Sequence, residues 1–131
     1  MISHNSFMNI AVEVSKNSTA EKKKVGCIIV KNLNIIAIGY NGTPSGFDNV
    51  CEENGKTKPE VLHAESNAIA KCAISENSSE GATMYCTYSP CMNCAKLIVQ
   101  SKIKKVYFKE YYKDTSGLDL LLKAGIKSIL I

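Results

Sequence analysis

Between residues 4 and 17 the apolar positions fall at Phe7, Ile10, Ala11 and Val14. That i, i+3, i+4, i+7 spacing predicts an amphipathic helix with one face against a larger body. Residues 15–24 are polar and close on Lys22-Lys23-Lys24. The pattern then tightens into a β-rich run, Val25-Gly26-Cys27-Ile28-Ile29-Val30, a polar turn over Lys31–Asn34, and a second β-rich run from Ile35 to Tyr40. Two such runs across a short turn predict a β-hairpin. From Gly39 to Asn49 turn formers dominate, and the polar stretch runs on to Pro59. A loop of about twenty residues in a small domain is usually functional or disordered, and its place just before His63 favours function.

Helical spacing resumes from His63 to Glu76, with Ala68, Ile69, Cys72 and Ala73 on one side. Residues 77–82 read as loop and Thr83–Thr87 as a strand. Ser89 is placed to cap the next helix and Pro90 to occupy its first position, with the helix running to about Ser101. Lys105–Phe108 is another strand. Ser116 and Asp119 resemble a capping box for a helix ending near Gly125, and Ser128–Ile131 is a last short strand. The second half alternates strand and helix, which predicts parallel strands. The expected architecture is α/β: a mixed five-stranded sheet with helices on both faces, forming a single domain over residues 1–131.

Composition narrows this picture. At 131 residues, 45% hydrophobic and 21% charged, the chain suits one domain with a core that needs no disulfide staples. No apolar run approaches the ~18 residues of a membrane span. The opening Met1-Ile2-Ser3-His4-Asn5 lacks the basic and apolar regions of a secretory signal, so a cytoplasmic location and no membrane partner are expected. In that setting the 6 cysteines should be thiols or metal ligands. Cys27, Cys72 and Cys86 sit in apolar positions and read as small buried hydrophobes. Cys51 lies in a polar loop and stays ambiguous. Only Cys91 and Cys94 have ligand spacing. The net charge of +4 suits an anionic small molecule, a weak nucleic-acid contact, or nothing in particular.

Two segments carry chemistry: His63-Ala64-Glu65 and Pro90-Cys91-Met92-Asn93-Cys94. Residues three apart on a helix share a side, and a first helical turn favours thiolate over thiol. With the His63 imidazole they make a Cys2His set of the kind that binds Zn2+ and leaves a fourth position open to water. Zinc lowers the pKa of such a water to ~7. Glu65, two residues from His63, would point beside the metal toward water and substrate. A carboxylate there can take the water's proton, protonate a ring nitrogen and protonate a departing amine. H-x-E followed by P-C-x-x-C is the signature of zinc-dependent base deaminases.

The chain resembles the deoxycytidylate branch of the cytidine/deoxycytidylate deaminase superfamily. The matching stretches are Val25–Val30, Gly39–Gly46, Leu62–Ile69, Tyr88–Ile98, Ile103–Tyr107 and Ala124–Ile126. The resemblance implies a three-layer α/β/α fold with strand order 2-1-3-4-5 and one catalytic zinc per chain at two helix N-termini. It implies hydrolysis of dCMP to dUMP and ammonia in the supply of dTMP. Carried over residue by residue, Asn41 would contact the sugar, and the backbones of Ala64 and Ser89 would read the pyrimidine edge. Tyr111 would stack on or close over the substrate. A loop containing Gly39, Tyr40 and Gly42 would take part in binding dCTP as activator and dTTP as inhibitor, with Mg2+ on the triphosphate, in a homo-oligomer, a hexamer in many relatives. No stable nucleic-acid partner is implied. The segment before His63 offers only Cys51, so no second, structural zinc site is expected.

Plainer readings compete. Cys91 and Cys94 alone would fit a redox pair, which leaves His63 and Glu65 unexplained. Cys51 or His4 as a fourth ligand would make the zinc structural. Asn41 could supply a turn, Tyr111-Tyr112 packing, and Lys22–Lys24 a solvated run rather than a contact to effector phosphate or RNA. Deamination of free cytidine or deoxycytidine, or of a base in RNA or single-stranded DNA, is the alternative activity. Polynucleotide binding calls for a basic groove interleaved with aromatics, and the chain has no Trp and 3 Phe.

Overall fold

The computed structural model describes residues 2–131. The Ser3 hydroxyl accepts the Ser6 N–H at 3.1 Å and so opens helix α1 (His4–Ser15). Strands β1 (Gly26–Lys31) and β2 (Asn34–Tyr40) form the expected antiparallel hairpin. Its two central residues, Asn32 and Leu33, have φ of 52° and 64°, the left-handed pair whose twist suits a two-residue hairpin. A small hairpin of β3 (Glu52–Glu53) and β4 (Lys56–Thr57) interrupts the expected long loop. Then come α2 (Ala64–Ala73), β5 (Thr83–Tyr88), α3 (Met92–Gln100), β6 (Lys105–Glu110), α4 (Ser116–Lys123) and β7 (Lys127–Leu130).

The main sheet has the order β2-β1-β5-β6-β7. β1 pairs antiparallel with β5, while β5, β6 and β7 run parallel, as the strand–helix alternation predicts. Strand alternation then sorts the core. Ile28, Val30, Tyr85 and Tyr107 meet Phe7, Met8, Ala11 and Val14 of α1 on one face. Cys27, Ile29, Met84, Cys86 and Val106 meet Ala64, Ala68, Cys72, Ala95, Ile98 and Leu121 on the other. This is the three-layer α/β/α fold. β1 is apolar from Gly26 to Val30 because both of its faces are covered there. No described helix is long and apolar enough to cross a membrane.

Two caps differ from expectation. Cys91, not Ser89, occupies the N-cap of α3. The Ser89 hydroxyl instead accepts the Tyr112 N–H at 2.8 Å, tying the end of β5 to the segment after β6. The Ser116–Asp119 capping box does not form. Thr115 is the N-cap of α4, and Asp114 Oδ1 accepts the Ser116 N–H at 2.9 Å. That bond holds the exposed Asp114 carboxyl below its ordinary value.

Candidate active site

Both motifs sit at helix starts. His63 is the N-cap of α2 and Cys91 the N-cap of α3, each with extended backbone and no side-chain cap bond, so both side chains are free to turn outward. They meet at the carboxyl end of β5, the usual location of sites in open α/β sheets. His63 Nδ1 lies 3.4 Å from Cys91 Sγ and 3.4 Å from Cys94 Sγ. The three donor atoms all fall within 4.8 Å of one another, the one such group of His, Cys, Asp or Glu among the described residues. Tetrahedral zinc with its usual bond lengths would hold N and S ~3.6 Å apart, so these residues fit the ion. Three protein donors make an open site.

The surroundings sharpen the chemistry. Glu65 is only 4% exposed. Burial pushes its carboxyl up to about 7 in the metal-free protein, against the pull of its own backbone N–H and the Cys94 thiol. Burial first, then the charges of Glu65 and Cys91, likewise raise the Cys94 thiol. A bound metal ion removes such a thiol proton outright.

The remaining cysteines stand apart from this cluster. Cys27 and Cys86 are fully buried, 3.5 Å apart across β1 and β5, and burial raises both thiols. Cys72 is buried too, as its helical position predicts. Cys51 is buried against Thr19 Oγ1 at 3.6 Å. His4 lies across the sheet, with Nδ1 2.6 Å from the Tyr85 hydroxyl and Nε2 3.2 Å from that of Tyr107. Neither Cys51 nor His4 is among the clustered donors.

A cavity of about 370 Å³ opens over this centre. Its closed end is lined by buried Ala64, Glu65 and Ser89, and its open end by exposed Lys22, Lys23 and Lys113. Asn41, Ala64 and Ser89 all line it. Asn41, however, is already engaged. Its Oδ1 accepts the Val25 N–H at 2.9 Å and its Nδ2 donates to the Lys23 carbonyl at 2.8 Å. Tyr111 is a correction: it is 58% exposed, stands edge-on to Phe108, and lines a separate groove beside α4. Its neighbour Tyr112 lines the cavity, together with Tyr88. In an extended segment adjacent side chains point to opposite sides, so the Tyr-Tyr pair alone could not reveal which one faces in.

Gly39, Tyr40 and Gly42 do not line the cavity; they support it from outside. A Cβ on Gly39 would meet the Ala64 carbonyl at 2.3 Å. The Tyr40 carbonyl accepts Asn67 Nδ2 at 3.0 Å. Gly42 and Leu62 exchange backbone hydrogen bonds at 3.2 and 2.8 Å, one residue from His63.

Comparison with known proteins agrees with this geometry. Residues 1–110 match the family described as the cytidine and deoxycytidylate deaminase zinc-binding region. The chain is 38% identical to the deoxycytidylate deaminase of Enterobacteria phage T4, an alignment covering 92% of this chain and 85% of that protein. It is 36% identical to the deoxycytidylate deaminase of Schizosaccharomyces pombe, where 92% of this chain matches 41% of a longer protein. The crystal structure of dCMP deaminase from cyanophage S-TIM5, in complex with dCMP and dUMP, superposes with a TM-score of 0.96 at 43% identity over 100% of both chains. By sequence, by fold and by its His–Cys–Cys zinc-binding set, the chain belongs to the cytidine and deoxycytidylate deaminase zinc-binding family.

Proposed function

We propose that this protein hydrolyses dCMP to dUMP and ammonia. The observation that carries the reading is the buried Glu65 carboxyl beside the His63–Cys91–Cys94 donors at the closed end of a cavity sized for one small ligand. Zinc held by those three donors supplies a Lewis acid that makes water nucleophilic near neutral pH. The Glu65 carboxylate takes a proton from the attacking water and gives it to N3 of the cytosine ring as C4 becomes tetrahedral. It then takes the proton of the new C4 hydroxyl and delivers it to the departing amine, so that the C4–N bond breaks, ammonia leaves and a carbonyl remains. A carboxyl group lifted toward neutrality suits both halves of that work. On this reading the Ala64 N–H, at the first position of α2, and the Ser89 carbonyl, just past the end of β5, read the pyrimidine edge.

The regulatory reading belongs to the same proposal: dCTP activates, dTTP inhibits, magnesium accompanies the triphosphate, and the working form is a homo-oligomer, a hexamer. Its support is the Gly42–Leu62 backbone pair, which joins the loop of Gly39, Tyr40 and Gly42 to the residue before His63.

Steady-state turnover of dCMP, CMP, deoxycytidine and dCTP by zinc-loaded protein tests both parts. Preference for dCMP supports the reaction, and a half-maximal dCMP concentration lowered by dCTP supports the regulation. Zinc-bound protein that turns over none of the four refutes the reaction. A curve indifferent to dCTP refutes the regulation.

A further inference from the structure

We propose that a second cavity, on the face of the sheet covered by α1, binds a small amphiphilic organic anion. Its carboxylate or phosphate head lies against Lys31 and Lys104, and its apolar body against Ile2, Leu33 and Phe7. This inference is independent of the deamination reading, because the cavity shares no lining residue with the one over the metal centre.

The cavity holds about 580 Å³, within the range of small-ligand sites. It lies where the start of α1, the β1–β2 turn and the first residues of β5 meet. Thr83 opens β5 here and Tyr88 closes it beside the metal centre, so about 17 Å of strand separates the two cavities. The floor is apolar and rigid, because Phe7, Val30 and Tyr85 belong to the core on this face. His4 is a fixed wall. Its Nδ1 meets the Tyr85 hydroxyl, its Nε2 meets that of Tyr107, and its ring stacks on Tyr107 at 4.3 Å. With both ring nitrogens occupied, His4 offers a ligand a flat surface rather than a hydrogen bond.

Leu33 serves neither the turn nor the core. Its φ of 64° is a conformation that Gly or Asn adopts at lower cost, and it is 51% exposed. Ile2, which also lines the cavity, is 50% exposed. The two leave apolar surface open to water beside two cations. No Asp or Glu among the described residues lines the cavity. Neither Lys31 nor Lys104 forms an ion pair among the described residues, where the one such pair is Glu13–Lys16. Lys31 Nζ donates to the Ser78 carbonyl at 3.2 Å, which orients the ammonium and leaves two N–H groups for a ligand. That charge balance selects an anion, and the walls select one with an apolar body. A bare anion leaves Ile2 and Leu33 wet, and an uncharged apolar molecule leaves both lysines without a partner.

The test titrates zinc-loaded, full-length protein with octanoate and octyl phosphate, with octanol as the uncharged body and inorganic phosphate as the bare head. Amide NMR shifts of Lys31–Leu33 and Thr83–Tyr85 report where each probe binds. At least one of the two amphiphilic anions should shift these amides saturably, and the tighter of the two identifies the head. Octanol and inorganic phosphate should each bind at least about 10-fold more weakly. Lys31→Gln/Lys104→Gln should weaken the anion about 10- to 100-fold, as loss of bonds to a charged group does. Leu33→Asn, which suits the turn and removes the apolar wall, should weaken it several-fold. Circular dichroism and zinc content check that both variants fold. Binding unchanged in the double variant, or shifts only at other residues, overturns the inference. So does a response to a hexaglutamate peptide alone, which gives the cavity to an acidic protein segment. Self-association that the double variant abolishes in sedimentation also overturns it, by giving the cavity to a second copy.

Discussion

Glu65 makes a sharp prediction about metal-free protein. In the unfolded chain its carboxyl titrates near its ordinary value of 4.5, whereas burial in the folded, metal-free protein pushes it up to about 7. Below pH 4.5 both states are protonated and the group makes no difference to stability. As pH rises, the unfolded chain gains the charge first. Folding then grows costlier until the folded carboxyl has also ionised, at about pH 7 and above. The gap, 7 − 4.5 = 2.5 pH units, at ~1.36 kcal/mol each, amounts to about 3 kcal/mol. That is a large share of the ~5–15 kcal/mol that holds a small domain together. The assay is urea unfolding of metal-free wild type and Glu65→Gln, under reducing conditions, at intervals from pH 5 to pH 8. Glutamine keeps the shape and cannot ionise, and subtraction cancels the other titrating groups. The stability advantage of Glu65→Gln should grow by about 2–3 kcal/mol across that range. Zinc should shrink the slope, because a nearby cation favours the carboxylate. Parallel pH curves for the two metal-free proteins would refute the claim that Glu65 is held in a desolvated pocket.

Other outcomes follow from the same geometry. Cys91→Ala and Cys94→Ala should each lose bound zinc and turnover together, measured by metal analysis and dCMP hydrolysis; full activity in metal-free protein would contradict the ligand assignment. Gly117→Ala places a Cβ 2.2 Å from the Pro90 carbonyl and 2.7 Å from that of Cys91. Relief requires roughly 1 Å of movement, so overpacking should cost ~1–3 kcal/mol in thermal unfolding and weaken zinc ~10- to 100-fold in a chelator competition. Leu122→Ala, exposed on the same helix, should do neither. Asn41→Ala frees the Val25 N–H and the Lys23 carbonyl, and should cost ~1–2 kcal/mol of stability and raise KM for dCMP more than it lowers kcat.

What could be read from the sequence was what short-range spacing encodes. Cys91 and Cys94 are separated by one helical turn, and His63 stands two residues from Glu65, so residue type and spacing nearly define the centre. The parallel sense of β5, β6 and β7 followed from the alternation of strand and helix, and the strand order from the resemblance. Other features depend on contacts between distant segments. Ser89 looked like a helix cap because Pro90 follows it, yet its hydroxyl is taken by Tyr112, 23 residues on. Asn41 was read as a substrate contact, and nothing local showed that its amide also ties the Lys23 carbonyl to the Val25 N–H. Tyr111 and Tyr112 differ by one position, and only the path of the backbone after β6 decides which ring lines the cavity. The hairpin of β3 and β4 has two residues per strand, too few to leave a periodic signal. Lys22–Lys24 read as a charge run, since nothing local marks Lys23 as the one resting against the Tyr88 and Tyr112 rings.

The donors of the metal site come from two helix starts, and each start is fixed by a close approach of backbone to backbone. Gly39 lets β2 lie against α2 where a Cβ would strike the Ala64 carbonyl at 2.3 Å and the Ala68 N–H group at 2.6 Å. Gly117 lets α4 lie against Pro90 and Cys91. Neither contact involves the metal. The two core clusters on either face of the sheet also close without it. This differs from a zinc finger, where metal binding and folding are one event. Here folding brings the ligands together, so zinc affinity is not spent on ordering the chain. The same rigidity explains why Glu65 can be so thoroughly buried: the cost of desolvating its carboxyl is borne by a frame that does not relax around it. A site built this way should lose activity when its metal is removed and regain it on zinc addition without refolding.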